Sequence, residues 1–140
     1  MSEMTTLAPN PENKCFGCGG ANAEGMKLTF EQDDANKKIV GHFVMGARYQ
    51  GGGGMLHGGI IAMLLDEAMG KVCRFRNSRA VTAEMNIDFL KPIRVDQEIT
   101  VEAFETAQRG RNLFQWGEIR DAEGQLLARG RARFVVLGEK

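Results

Sequence analysis

A chain of 140 residues that is 43% hydrophobic and 26% charged has the length and composition of one globular domain with its own core. Its 18 basic residues balance 18 acidic ones, so no net charge attracts it to nucleic acid or to an anionic membrane. No apolar run reaches the ~20 residues of a membrane-spanning helix, and the N-terminus does not resemble a signal peptide. Three cysteines, an odd number, fit a reducing compartment better than a set of disulfides. Together these features favour a cytoplasmic protein.

The chain begins with a polar segment, residues 1–13, that carries two prolines. We expect this segment to be flexible or to lie across a neighbouring chain, and we expect a single domain over residues 14–140. Within that domain, MKLTFE and KKIVGHFVM predict two strands. The polar stretch DDANK between them predicts a hairpin turn.

A glycine-rich loop and a helix follow in the segment YQGGGGMLHGGIIAMLLDEAMG, residues 49–70. The helix is predicted from Gly59 to about Cys73. Its apolar residues cover almost every side of the helical wheel: Ile60, Ile61, Met63, Leu64, Leu65, Ala68, Met69 and Val72. Because such a helix must be covered all round, we expect a β-sheet that curves about it.

The remaining chain predicts four strands. In AVTAEMNIDFL, period-two alternation places Val81, Ala83, Met85, Ile87 and Phe89 on one face, and Thr82, Glu84, Asn86 and Asp88 on the other. Three further strands are predicted at QEITVEAFETA, NLFQWGEIRD and QLLARGRARFVVL. The fold class is therefore α+β, with two strands, one long buried helix and four more strands.

Three arginines, Arg129, Arg131 and Arg133, share one face of the last predicted strand. We interpret them as cross-strand partners of glutamates such as Glu102 and Glu118, because opposite charges on facing strands stabilise a sheet.

The start of the helix is a candidate binding site. A helix that begins at Gly58 or Gly59 exposes amide N–H groups and the positive end of its dipole, which favour an anion or a developing oxyanion. Glycine also lets a ligand approach the backbone closely. The alternative is a mobile connection without a ligand.

Two carboxylates lie within the helix. Glu67 precedes Lys71 by four residues, which favours an ion pair. Asp66 has only small and apolar helical neighbours, so it is a candidate general base or nucleophile, with a hydrogen-bonded surface aspartate as the alternative. Asp66 lies about 10 Å along the helix from Gly59. One carbonyl cannot contact both within one chain, and a shared reaction requires two subunits with antiparallel helices.

The histidines and cysteines give weaker signals. His57, just before the helix, either stabilises the loop or takes part in catalysis. The other histidine, His42, falls in a predicted strand, which leaves little material for a catalytic triad. Cys15 and Cys18 form a CxxC motif, but no second Cys or His pair follows at zinc-finger spacing. We therefore expect no metal site.

The segment QGGGGMLHGGIIAMLLDEAMG resembles the signature of hot-dog-fold acyl-CoA thioesterases of the phenylacetic-acid-degradation (PaaI-like) type, in which HGG precedes an aspartate that lies nine residues after the histidine. KCFGCGGANAEGMKLTF and AVTAEMNIDFLKPI are also similar to elements of this family, and the likeness spans residues 14–137. The resemblance implies a curved antiparallel sheet wrapped around one long central helix. It also implies dimers or tetramers, with sites at the subunit boundary that hydrolyse acyl-CoA to a free acid and coenzyme A.

The resemblance also implies roles for individual residues. The amides of Gly58 and Gly59 would polarise the thioester carbonyl, and His57 would shape their loop. Asp66 of the partner chain would act as general base or as nucleophile. Thr82 would assist the water or the carboxylate, although the predicted alternation places it on the polar face of its strand.

Coenzyme A is part of the implied substrate, and no separate cofactor is expected. Its phosphates need local cations, for which Arg79, Lys91, Arg109 and Arg111 at strand ends or turns are candidates. The GGGG loop and Ala23 depart from the family pattern, so acyl specificity does not follow from the likeness. Two other functions remain open: a non-catalytic acyl-CoA-binding or sensor domain, and a thioester hydratase or dehydratase.

Overall fold

The computed structural model describes residues 4–139, which form one antiparallel β-sheet and one long α-helix. The strands are β1 (Met4–Leu7), β2 (Phe30–Asp33), β3 (Lys38–Val44), β4 (Ser78–Phe89), β5 (Glu98–Arg109), β6 (Asn112–Asp121) and β7 (Leu126–Glu139). The helix α1, Gly58–Val72, connects β3 to β4, with short 3₁₀ turns at Ala47–Tyr49 and Cys73–Arg76. Across the sheet the strand order is β1, β2, β3, β5, β6, β7, β4.

One face of α1 is buried against the sheet. Its buried residues recur every three or four positions: Ile61, Leu64, Leu65, Ala68, Met69 and Val72. They pack with the inward faces of β5 and β6, where Val101, Leu113 and Ile119 are fully buried. The helix contacts five of the strands, from β3 to β7, so the sheet curves around it. The predicted α+β hot-dog architecture is confirmed.

A pair of facing glycines lets α1 lie close to the middle of the sheet. Gly117 of β6 and Gly130 of β7 are opposite each other in the ladder. A Cβ on Gly117 would lie 3.0 Å from Leu65 Cδ2, and one on Gly130 would lie 2.8 Å from Ile87 Cδ1. Larger residues at these positions would push the helix and β4 away from the sheet.

The side of α1 that faces away from the buried cluster is only partly covered. Ala62, Met63 and Asp66 are half-buried. Beside this side lies β4, which is the last strand in the sheet and has no neighbour on its outer edge within residues 4–139. Val81 and Phe89 on β4 are 49% and 56% exposed. We predicted that α1 is covered on all sides. Its own chain buries one side of the helix and leaves the other side only partly covered.

A change of register in β4 corrects the predicted alternation. Thr82 is opposite Phe134, but Glu84 is opposite Arg133, so Ala83 is an extra residue in the ladder. Ala80 and Thr82 thus share the inward face with Met85 and Ile87. The placement of Val81 and Ala83 on the buried face was wrong, because regular alternation cannot anticipate a bulge.

The N-terminal region forms more regular structure than we expected. Met4–Leu7 pairs with β2 as an edge strand, although residues 4–6 remain exposed. Backbone hydrogen bonds to β2 hold it, and Leu7 packs against the core. Two parts of the predicted organisation lie outside the described residues. They are residues 1–3 of the N-terminal segment and residue 140 of the domain.

Arginines of β7 form cross-strand ion pairs, but with β4. Arg129 Nε lies 2.9 Å from Asp88 Oδ2, and Arg133 Nε lies 3.7 Å from Glu84 Oε1. The proposed acidic partners are engaged elsewhere, Glu102 with Lys38 and Glu118 with Arg120. Arg129 does face Glu118 in the β6–β7 ladder, as predicted. The ion pairs nevertheless form with β4, whose place beside β7 cannot be read from the sequence.

Gln115 of β6 is a buried polar side chain whose carboxamide oxygen has no hydrogen-bond partner in the described part of the chain. Its Nε2 donates only a long bond, 3.7 Å, to Cys73 Sγ. A buried polar atom left without a partner costs about 1–3 kcal/mol. We therefore expect Gln115→Met to raise the free energy of unfolding by about 1 kcal/mol in urea denaturation. The exposed control Gln125→Met should change it by less than ~0.5 kcal/mol. A loss of stability in Gln115→Met would contradict the prediction.

Candidate active site

The start of α1 is capped by the side chain of His57. Its Nδ1 accepts a hydrogen bond of 2.8 Å from the Gly59 amide, and its carbonyl accepts from the amides of Ile60 and Ile61. Because Nδ1 acts as an acceptor, the neutral ring carries its proton on Nε2. The Gly59 amide is thus already bonded. Within residues 4–139, the Gly58 amide has no acceptor, so it is the free donor at the helix start.

The loop before His57 is a tight turn held by backbone hydrogen bonds. Gly53 and Gly54 have positive φ values of 58° and 79°, a conformation that favours glycine. The Gly51 amide donates to the Met55 carbonyl at 2.8 Å, and the Met55 amide donates to the Gly52 carbonyl at 3.1 Å. The loop is also tied to the rest of the chain, since the Leu56 amide donates to the Ile93 carbonyl at 2.7 Å.

Asp66 and Thr82 meet on the less covered side of α1. Thr82 Oγ1 donates a hydrogen bond of 2.7 Å to Asp66 Oδ1. Asp66 is half-buried, and no cation within residues 4–139 forms an ion pair with it. The extra residue Ala83 makes this contact possible, because it keeps Thr82 on the helix side of β4. The regular alternation had placed Thr82 on the polar face of its strand, and the register shift corrects this.

Asp66 and Thr82 line an open cavity of about 400 Å³ with a basic margin. Arg79, one of the predicted cations, lies in this lining, as do Lys71 and Arg74. The sequence analysis did not predict Lys71 and Arg74 as cations of this site. Arg74 follows Asp66 by eight residues, close to two helical turns, and this spacing was the available signal.

The other predicted cations are elsewhere. Lys91 follows β4 and lines a second cavity, of about 580 Å³, with Met55 and Arg94 beside the helix start. Arg109 and Arg111 lie at the turn between β5 and β6, where Arg111 Nη2 donates to the Val136 carbonyl at 2.7 Å. The structure therefore places Arg79 beside Asp66 and Lys91 at the opposite end of β4.

Two cysteines of the N-terminal loop lie against the same helix. Cys15 Sγ donates to Glu67 Oε1 at 3.5 Å, and Cys18 lies beside them. Burial and the Glu67 carboxylate raise the pKa of the Cys18 thiol to about 11. The predicted ion pair between Glu67 and Lys71 is wrong, since no contact within 4.0 Å joins their charged groups. Glu67 turns towards the cysteine loop instead.

Comparison with known families supports a common origin for the loop, helix and sheet. Residues 53–128, more than half of the chain, match the thioesterase superfamily. The chain belongs to the thioesterase superfamily. The matched range contains the helix start, Asp66 and Thr82, whereas the cysteine loop lies before it. The matched range therefore includes the candidate active site but does not reach Cys15 and Cys18.

Individual members of the thioesterase superfamily agree with this assignment. The acyl-coenzyme A thioesterase THEM4 of Rattus norvegicus is 36% identical over 90 residues, which are 64% of this chain and 39% of the rat protein. This chain thus spans well under half of that relative's length.

Solved structures agree on the fold. A thioesterase superfamily protein of known crystal structure superimposes with a TM-score of 0.80 at 25% identity, covering 87% of this chain and 60% of that one. The E. coli PaaI protein from the phenylacetic acid degradation operon gives a TM-score of 0.70 at 24% identity, and the superposition covers 74% of this chain and 75% of PaaI.

Within the described residues, no helix is long and apolar enough to cross a membrane.

Proposed function

We propose that this protein hydrolyses acyl-CoA thioesters to a free acid and coenzyme A. The observation that carries the proposal is the 2.7 Å hydrogen bond from Thr82 to Asp66, a half-buried carboxylate without an ion-pair partner in residues 4–139. Membership of the thioesterase superfamily and the acyl-coenzyme A thioesterase activity named for the rat relative support it.

The geometry assigns a role to each group. The Thr82 hydroxyl occupies and orients Oδ1 of Asp66, which leaves Oδ2 to take a proton from water. The water oxygen then attacks the thioester carbonyl carbon, and the Gly58 amide stabilises the oxyanion. Collapse of the tetrahedral intermediate expels the coenzyme A thiolate, which takes the proton that Asp66 removed from water. In the alternative route Asp66 attacks the carbonyl carbon directly and expels the coenzyme A thiolate. Water then hydrolyses the resulting mixed anhydride to the free acid and regenerates Asp66.

The reaction requires two subunits. Gly58 and Asp66 lie eight residues apart on one helix, a distance of about 12 Å, which one carbonyl cannot bridge. The half-covered side of α1 and the open edge of β4 are the surfaces on which a second copy would pack. Antiparallel packing of two copies brings Gly58 of one chain to Asp66 of the other. The smallest active form is then a homodimer, and two dimers could associate as a tetramer.

The same arrangement explains the separated cations. At about 3.3 Å per residue, the 12 residues of β4 span roughly 40 Å, so Arg79 and Lys91 of one chain are far apart. In an antiparallel dimer, Lys91 of one chain approaches the end of β4 that carries Arg79 in the other. We propose these two as the first candidates for the phosphates of coenzyme A. Arg109 and Arg111 are weaker candidates, because neither lines the Asp66 cavity.

We also propose a cytoplasmic location. All three cysteines are free thiols in the structure, and acyl-CoA is an intracellular metabolite class. The proposed reaction needs a second copy of the chain and involves neither a nucleic acid nor a membrane.

Release of free thiol from short, medium, long and aromatic acyl-CoAs tests the proposal. We expect turnover of at least one substrate class at a kcat of roughly 1–100 s⁻¹, and sedimentation at the mass of a dimer or tetramer. If the protein bound acyl-CoA tightly and released no thiol from any of them, it would be an acyl-CoA sensor. Consumption of enoyl-CoA without thiol release would indicate a hydratase.

A further inference from the structure

Cys15, Cys18 and Glu67 form a cluster that the proposed reaction does not use. Their Sγ and carboxylate oxygen atoms all lie within 4.8 Å of one another. The two cysteines belong to the loop between β1 and β2, and Glu67 comes from the middle of α1, 49 residues beyond Cys18. Three residues with metal-ligating side chains are thus brought together from two separate parts of the chain.

The spacing of these atoms is close to that of a tetrahedral metal site. Ligand atoms bound to zinc at about 2.3 Å for sulfur and 2.0 Å for oxygen lie roughly 3.5–3.8 Å apart. The Cys15 Sγ to Glu67 Oε1 distance is already 3.5 Å. Side-chain rotations that move the remaining atoms by about 1 Å would complete the geometry. The Cys-x₂-Cys spacing is the usual one for two ligands supplied by a single turn.

The loop is built to receive the Glu67 carboxylate. Gly17, between the two cysteines, is buried, and a Cβ there would overlap the Glu67 carboxylate. Gly19 is equally constrained, since a Cβ would overlap the backbone of Asn13 and Cys15. Backbone hydrogen bonds hold this turn, from the Gly19 amide to the Cys15 carbonyl at 2.9 Å and from the Leu28 amide to the Gly17 carbonyl at 2.9 Å.

We propose that Cys15, Cys18 and Glu67 bind one zinc ion per chain, with water in the fourth position. Thiolate ligands select zinc over the harder divalent cations such as Mg²⁺ and Ca²⁺. Binding releases the two thiol protons to solvent, and the resulting group of two thiolates, one carboxylate and Zn²⁺ carries a net charge of −1. Lys71, one helical turn beyond Glu67, supplies a nearby positive charge. The ion would fasten the N-terminal loop to α1 beside Asp66.

The proposed site departs from the expectation of no metal. The expectation rested on the lack of a second Cys or His pair at zinc-finger spacing. The third proposed ligand is instead a glutamate on a helix far along the chain. The cysteines also lie outside the range that matches the thioesterase superfamily. The site is therefore a feature of this chain that the family match does not include.

Metal content and cobalt substitution test the proposal on the full-length protein. We expect wild type purified under reducing conditions and without chelator to retain about one zinc per chain by mass spectrometry. Replacement of zinc with Co²⁺ should give sulfur-to-cobalt charge-transfer absorption. Cys15→Ser and Cys18→Ser should each lower the absorption by about half or more and lower zinc affinity at least ~10-fold. Glu67→Ala should lower affinity while it keeps the absorption.

Cys73→Ala is the matched control, because Cys73 is a buried free thiol outside the cluster. It should retain both the zinc and the cobalt spectrum. Absence of charge-transfer absorption in reduced wild type, or equal absorption in Cys15→Ser, would overturn the proposal. Since the metal takes no part in the proposed hydrolysis, thiol release by wild type is measured separately, and either proposal can fail alone.

Discussion

Asp66→Asn is expected to lower the rate of thiol release from acyl-CoA at least ~100-fold, the lower end of what general-base catalysis contributes. Asparagine has nearly the same shape as aspartate and can still accept the Thr82 hydrogen bond through its amide oxygen. It can neither take a proton from water nor attack the thioester at neutral pH. The measurement is steady-state thiol release with the best substrate of the panel.

The matched control is Glu123→Gln, which removes an exposed carboxylate from the turn between β6 and β7. Its rate should stay within about twofold of wild type, as for surface substitutions away from a site. Thermal unfolding and sedimentation show whether both variants keep the fold and the oligomer. An Asp66→Asn protein that is folded, assembled and fully active would eliminate Asp66 as base or nucleophile.

Gly58→Pro is expected to lower the same rate about 100- to 1,000-fold, the loss typical of a missing oxyanion donor. Proline has no N–H, and the first position of a helix is where it is best tolerated. His57 has φ −61° and ψ 134°, an extended conformation that suits a residue before proline. The substitution therefore removes the free amide while it keeps the helix.

Gly58→Ala separates the loss of the amide from steric effects. It retains the N–H, and its Cβ would lie 3.7 Å from the Phe89 ring, an ordinary contact. We expect Gly58→Ala to keep most of the activity. If alanine and proline reduced the rate equally, the Gly58 amide would not be the oxyanion donor.

Mixing the two inactive variants tests whether each site is shared. In a heterodimer of Asp66→Asn and Gly58→Pro chains, one site has an intact Gly58 amide and an intact Asp66, whereas the other site lacks both. Random re-association makes half of the dimers mixed, so the mixture should recover about a quarter of the wild-type rate. If each site lay within one chain, the mixture would be as inactive as its parents.

Much of this fold could be predicted from the sequence, because local patterns determine it. The apolar wheel of α1 required a curved sheet, and the turn residues located every later strand to within a few positions. The ion-pair partners of Arg129 and Arg133 could not be predicted, because they depend on β4 lying beside β7 rather than next to a strand close in sequence.

The candidate site was predictable in part for similar reasons. The loop, His57 and Asp66 belong to one continuous segment, so their relation follows from helix geometry. The bond from His57 to the Gly59 amide was not foreseen, because a side-chain rotamer decides it. Lys71 and Arg74 were not predicted as cations of the site, because they lie at the end of α1 and in the turn after it rather than at strand ends. Glu67 was not predicted to join the two cysteines, because it comes from a helix far along the chain.

The extra residue in β4 divides that strand into two halves that follow opposite parity. Up to Thr82, even-numbered positions face the helix, and from Met85 onward odd-numbered positions do. A deep mutational scan of the strand would therefore show tolerance that switches from odd to even at Ala83. In an alignment with a strand that lacks this extra residue, the gap belongs at Ala83, because an ungapped alignment would exchange the two faces of the strand on one side of it.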